Sequence, residues 1–301
     1  MKIQGLYTAI ITPFTADDTV DEEGIRENIR YQIGNGVEGI VALGTTGESP
    51  TLTHREKEKI VRIAKEECHG RVPLMVGTGS YSTKQTVENT LWARDMGADS
   101  VLIICPYYNK PMQEGLYLHF KQVAEAVPNL PIMVYNHLGR TGQNMTTPTL
   151  KRLSEIPNIV GVKEASGNLM QIMEVIEHIS RRRHDFSVMC GCDEMTMPLM
   201  HVGGHGVISV ASNLIPHEMH SLVKACQMED HDIARSLHYH MMPLFRALCF
   251  ETNPIPIKTA MNLKKMAAGH CRPPLSPMSM DNTEKLAEII KSYVLNPLYA
   301  S

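Results

Sequence analysis

Short runs of aliphatic and β-branched residues alternate with amphipathic helical stretches along most of this chain, and that alternation constrains its fold more than any other feature. Parallel strands must be joined by a crossover, usually a helix, so repeated strand–helix cycles imply a parallel sheet covered by helices. Leu6 to Thr12 reads as the first strand, closed by Pro13. Ile25, Ile29 and Ile33 then share one helix face, which Gly34 and Gly36 terminate. Gly39 to Leu43 is the second strand, and Thr53-His-Arg-Glu56 forms a capping box for a helix continued by Ile60, Ile63 and Ala64. Leu74 to Val76 opens a third cycle, whose helix runs from Ser82-Thr-Lys-Gln85 to Gly97.

The pattern continues. Ser100 to Cys105 is strand four, followed by Leu116, Phe120, Val123 and Ala124 on a helix that Pro128 stops. Ile132 to Tyr135 is strand five, with a helix opening at Thr147-Pro148. Ile159 to Lys163 is strand six, trailed by Leu169, Ile172, Met173, Ile176 and Ile179. Phe186 to Cys190 is strand seven, with a short helix from Asp193 to His201. Val207 to Val210 is strand eight, followed by a helix from Pro216 to Cys226. Eight cycles over about 225 residues match an α/β chain closed into a (β/α)8 barrel, which typically takes about 250 residues. A doubly wound open sheet is the alternative. Against it, no G-x-G-x-x-G follows the first strand, and eight cycles exceed the roughly five or six strands of such sheets. After Gln227 the pattern is helical: Asp230 to about Ala247, Pro256 to Ala268 and Thr283 to Val294, with Pro273-Pro-Leu-Ser-Pro277 between the last two. The division expected is a barrel domain, 1–226, and a small C-terminal helical domain, 227–301.

Composition excludes several functions. The net charge of -3 offers no footprint for nucleic acid or an anionic membrane, and the one basic run, Arg181-Arg182-Arg183, reads as the solvated end of a helix. No apolar stretch approaches the roughly 20 residues of a membrane span, and Met1 to Gly5 lacks a leader's apolar core, so a cytoplasmic protein is expected. Seven scattered cysteines in 301 residues are expected to be reduced thiols. Cys190 and Cys192 have no second pair at zinc-site spacing, and the 14 histidines include no H-E-x-x-H, so no metal is expected.

Active sites of such barrels lie at the C-terminal strand ends, so the reactive residues there carry the functional argument. Strand six ends at Lys163, within Asn158-Ile-Val-Gly-Val-Lys-Glu-Ala-Ser-Gly167. A lysine among apolar neighbours is desolvated, which lowers its pKa and frees the neutral amine that Schiff-base chemistry needs. The bland alternative is a side chain that reaches into water or pairs with Glu164. Strand two ends in Gly44-Thr45-Thr46-Gly47-Glu48, whose backbone could turn N–H groups toward an anion. Strand four ends in Pro106-Tyr107-Tyr108-Asn109-Lys110-Pro111. Strand five ends in Tyr135-Asn136 followed by Gly139-Arg140-Thr141-Gly142, where Arg140 offers a bidentate fork for a carboxylate. Amine, phenols, hydroxyls and anion donors at one barrel end form the kit of an imine-forming enzyme.

These four ordered motifs, with a match over the whole chain, resemble the dihydrodipicolinate synthase family. The resemblance implies condensation of pyruvate with aspartate semialdehyde in the diaminopimelate route to lysine, without a cofactor, by a homotetramer built as a dimer of dimers. It implies that Lys163 forms the imine with pyruvate and that Tyr135 is the general acid/base, linked to Thr45 and to Tyr108 from a neighbouring subunit. Thr46 and the backbone at Ile208 would hold pyruvate, and Arg140 the carboxylate of the semialdehyde. Within the same superfamily, the alternative is a pyruvate-releasing aldolase such as a lyase of sialic acid or a keto-deoxy sugar acid. The Gly-Arg-Thr-Gly motif and the second threonine of Thr45-Thr46 speak for the synthase. A barrel that binds a keto acid without turnover would need nucleophile or shuttle to be lost, and neither is.

Two departures from the family pattern stand out. His137-Leu138 replaces the common valine-proline, removing a rigid turn residue beside Arg140 and adding a titratable ring. Ser49, Leu52, His54 and Tyr107 match the allosteric pocket of lysine-inhibited members, but Lys57, Tyr81 and Gln85 stand where those carry histidine, asparagine and glutamate. Weak or absent inhibition by lysine is expected.

Overall fold

The computed structural model describes residues 2–293. Met1, and Val294 at the end of the expected last helix, lie outside the described residues. Eight parallel strands close into a barrel in sequence order. The strands are β1 (Gly5–Ala9), β2 (Gly39–Ala42), β3 (Leu74–Gly77), β4 (Ser100–Ile104), β5 (Ile132–Asn136), β6 (Ile159–Glu164), β7 (Ser187–Cys190) and β8 (Gly206–Ser209). Between them run α1 (Glu22–Gly34), α2 (His54–Cys68), α3 (Thr83–Asp95), α4 (Gln113–Ala126), α5 (Leu138–Thr141), α6 (Thr147–Ser154), α7 (Leu169–Val175) and α8 (Thr196–His201). After β8 come α9 (Pro216–Gln227), α10 (His231–Ala247), α11 (Ile255–Leu263) and α12 (Met280–Ile290). The described residues pack as two compact units: 75–208 with 2–5, and 6–74 with 209–293.

Local chemistry explains the elements. The Thr53–Glu56 capping box forms in both directions, and the Ser82 side chain accepts from the Gln85 N–H at the start of α3. β6 is buried at every position, as a strand of a helix-covered parallel sheet must be. Asn158 precedes it, and its side-chain amide donates to the carbonyls of Ala124, Val127 and Leu130, at 3.1, 2.9 and 3.4 Å. The amide thereby ties the end of α4 and the loop after it to the start of β6.

The structure shifts some expected boundaries. β1 stops at Ala9 because the N–H of Ile11 turns to the Asn213 side chain. Thr146, not Thr147, precedes α6, and its hydroxyl reaches the Gln113 and Thr149 side chains instead of capping the helix. α7 ends at Val175, and Ile176–Ser180 continue as a wider π turn. The basic run is also corrected: Arg181 and Arg182 are exposed, but Arg183 turns in. Its guanidinium donates to the carbonyls of Ser154, Ile156, Ile159 and Pro157 at 2.5–3.2 Å, stapling the entrance of β6. Among the described residues, no helix is long and apolar enough to cross a membrane.

Replacing Asn158 by alanine removes these side-chain bonds, a loss of about 1 kcal/mol. Urea unfolding of Asn158→Ala should show a midpoint lowered accordingly at unchanged m-value; an unaltered midpoint would mean that these bonds do not anchor β6.

Candidate active site

Alternation along β6 sends Lys163 and Glu164 to opposite faces. Glu164 is buried and fully engaged: it accepts from the Ser166 N–H at 2.7 Å, the Asn136 side chain at 3.2 Å and the Gln171 side chain at 3.3 Å. The bland reading of Lys163, as a solvated cation or a partner of Glu164, therefore fails. Lys163 is only 5 % exposed, and its register partner on β5 is Tyr135. The amine lies over the face of that ring, 4.3 Å from its centroid. On the other side β7 places Gly191 against the lysine stem; a Cβ there would sit 3.0 Å from Lys163 Cε and 2.7 Å from Ala165 Cβ.

Burial lowers the Lys163 pKa from 10.5 to about 8, aided by the positive charge of Arg140 and opposed by Cys192, Asp193 and Cys190. A useful fraction of neutral amine is therefore present near neutral pH, as nucleophilic attack on a carbonyl requires.

Arg140 stands on α5, a single turn that sequence reading had not resolved, opened by His137 and closed by Gly142 in the left-handed conformation (φ 69°). The Thr141 hydroxyl, donating to the carbonyls of His137 and Gln143 at 3.0 and 2.8 Å, ties the turn together. A helical turn thus carries Arg140 without a proline. The His137 ring packs edge-on against Tyr135, with centroids 5.8 Å apart. Burial, with the charges of Arg140 and Lys163 beside it, pushes the imidazole down to about 4, so the added ring is neutral at physiological pH.

The Gly44–Glu48 turn follows β2. Glu48 adopts the left-handed conformation (φ 53°), and its N–H donates to the Thr45 carbonyl at 3.1 Å. Thr46 is buried and its hydroxyl oxygen accepts from the Asn253 amide at 3.0 Å, which leaves the hydroxyl proton to be donated elsewhere. Thr45 is half-buried, and Ile208 is fully buried on β8. Tyr108 is not gathered to the lysine within one chain: it is 90 % exposed, at a positive φ of 68°. Tyr107 instead packs edge-on against Tyr81, with centroids 5.5 Å apart.

The structure thus brings together Lys163 and Tyr135, sets the charge of Arg140 near the amine, and places Thr45 and Thr46 in the turn after β2. Sequence reasoning missed Lys258, the partner of Glu48 in a buried ion pair at 2.8 Å, and Asn253, which binds Thr46. The signal was present in Ile255-Pro-Ile-Lys258, an apolar stretch ending in lysine like the one that marks Lys163. None of the seven cysteines is in a disulfide, and no cluster suited to a metal ion occurs among the described residues.

A parallel eight-stranded barrel with a buried, pKa-depressed lysine at the carboxyl end of β6, under a tyrosine of β5, defines a class equipped for imine chemistry. Residues 2–293 match the model of the dihydrodipicolinate synthetase family, and the chain belongs to that family. The 4-hydroxy-tetrahydrodipicolinate synthase of Protochlamydia amoebophila is 51% identical over 290 residues, 96% of each chain. Among solved structures, the dihydrodipicolinate synthase of Thermotoga maritima superposes with a TM-score of 0.94 at 41% identity, covering 97% of this chain and 98% of that one. That of Aquifex aeolicus gives 0.92 at 42% identity, with coverage of 96% and 97%.

The depressed pKa of Lys163 has a cost in stability. The unfolded lysine titrates at 10.5 and the folded one at about 8, so the stability this group supports is complete above 10.5 and is lost as pH falls toward 8. At neutral pH the charged form is disfavoured only in the fold. Lys163→Met should therefore be more stable than the wild type at pH 7, by on the order of 1 kcal/mol or more, with the difference shrinking at alkaline pH. Chemical denaturation at pH 7 and 10 checks this, and equal or lower stability of the variant at pH 7 would contradict it.

Proposed function

We propose that this protein is a 4-hydroxy-tetrahydrodipicolinate synthase, which condenses pyruvate with L-aspartate 4-semialdehyde by imine chemistry on Lys163. The observation that carries the reading is the buried Lys163 amine against Tyr135, in a chain 51% identical to a protein of that name. In this reading the neutral amine attacks the keto carbon of pyruvate, and loss of water gives the imine. Removal of a methyl proton converts it to the enamine, whose carbon attacks the aldehyde carbon while the aldehyde oxygen takes up a proton. The semialdehyde's own amino group then attacks the imine carbon, closes the ring and releases Lys163. No cofactor is required.

Tyr135 is the general acid/base, with Thr45 and a neighbouring subunit's Tyr108 completing the proton relay. The exposure of Tyr108 in a single chain suits a residue contributed across an interface. Thr46, whose hydroxyl proton is left available by Asn253, and the backbone at Ile208 hold pyruvate; Arg140 takes the carboxylate of the semialdehyde. A homotetramer, dimer of dimers, in the cytoplasm fits this reading. The aldolase alternative has less support, because the curated relatives compared carry the synthase name.

The direct test supplies pyruvate with aspartate semialdehyde or with sugar aldehydes and follows product. Turnover of the semialdehyde is expected; turnover of the sugar aldehydes alone would replace this reading by the aldolase. Tyr135→Phe should lower kcat by about a hundredfold or more, in line with the loss of a positioned acid/base. In the same assay, millimolar lysine should leave the rate nearly unchanged, since Lys57 and Gln85 stand where sensitive members carry histidine and glutamate; strong inhibition would refute that expectation.

A further inference from the structure

The Gly44–Glu48 turn is clamped by the segment that leads into and through α11. Glu48 and Lys258 are both buried, with side chains 1% and 2% exposed, and Glu48 Oε1 meets Lys258 Nζ at 2.8 Å. The other carboxylate oxygen accepts from the Arg272 N–H at 2.9 Å. The ammonium also donates to the carbonyl of Thr12 at 3.0 Å and to that of His270, so three acceptors match its three donors. The Phe14 ring closes the remaining side, with its centroid 4.4 Å from Nζ. Thr12 carries the clamp back to the turn, its hydroxyl donating to the Gly47 carbonyl at 2.7 Å. Asn253, five residues before Lys258, donates to the Thr46 hydroxyl at 3.0 Å.

A buried ion pair is weak grounds for stability, because desolvating two charges offsets most of their attraction. What such a pair supplies is geometry. Here it fixes a residue in a left-handed conformation, two positions after Thr46, within a turn that also contains glycines at 44 and 47. We propose that Glu48, Lys258 and Asn253 are positioning residues, through which the α11 segment sets the threonine turn in the geometry that receives the carboxylate of the keto acid. They touch no substrate. Asn253 directs the Thr46 proton outward, and the Glu48–Lys258 pair holds the backbone that carries Thr45 and Thr46. The inference rests on the proposed role of Thr46 in holding pyruvate.

The test compares steady-state kinetics of the wild type, Asn253→Ala, the double variant Glu48→Leu/Lys258→Met and Lys258→Arg, varying each substrate in turn. The double variant removes both charges together and leaves no lone buried ion. KM for pyruvate should rise about tenfold in Asn253→Ala and in the double variant, the order expected for one lost hydrogen bond, while KM for the semialdehyde stays within about twofold. Lys258→Arg, which keeps the charge, should recover part of the loss. An unchanged KM for pyruvate in a folded variant, or an equal rise in both KM values, overturns the proposal. Should the double variant not fold, Asn253→Ala decides alone, since it leaves the ion pair intact. A wild type that does not use pyruvate at all would instead overturn the functional reading beneath it.

Discussion

The desolvation of one amine is the constraint on which the site depends. Lys163 sits at the last turn outward of a strand buried on both faces, and the protein keeps it dry by packing Tyr135 on one side and leaving Gly191 without a side chain on the other. A Cβ at position 191 would press on Ala165 Cβ at 2.7 Å and on the lysine Cε at 3.0 Å. The same packing that lowers the amine's pKa also destabilises the fold at neutral pH, so the surrounding barrel must over-determine the lysine's place. Asn158 and Arg183 at the entrance of β6, and the Glu164 network at its exit, do that.

Charges near the amine are graded, not simply opposed. Arg140 disfavours its protonation, whereas Asp193, just after β7, favours it, so the pKa stays within reach of neutral pH instead of collapsing. His137 would upset this grading if it were cationic. Its burial against Tyr135 keeps it neutral, which explains how a histidine stands beside a lysine and an arginine at no electrostatic cost to either.

Much of this was legible in the sequence, and the parts that were not have physical reasons. The eight cycles were visible because a buried parallel strand is a continuous apolar run and its helix has a clear face, as in Ile159 to Val162 and Ile25-Ile29. Lys163 was visible because a charge at the end of such a run is anomalous. The turn Leu138–Thr141 was not, since four residues, one of them glycine, are too few to carry a helical period. The role of Arg183 was hidden by its exposed neighbours, because the sequence does not say which of three adjacent arginines faces inward. Lys258 and Glu48, 210 residues apart, become partners only when the chain closes, although the apolar flank of Lys258 marked it as a buried cation.

The central claim is that Lys163 is the nucleophile that holds the keto acid, and borohydride reduction tests it most directly. The protein is treated with borohydride with and without pyruvate, and the modified peptide is mapped by mass spectrometry. The account predicts a pyruvate-dependent adduct on Lys163 alone, whose yield rises as pH approaches 8. An adduct on another lysine, or none under any condition, would contradict it.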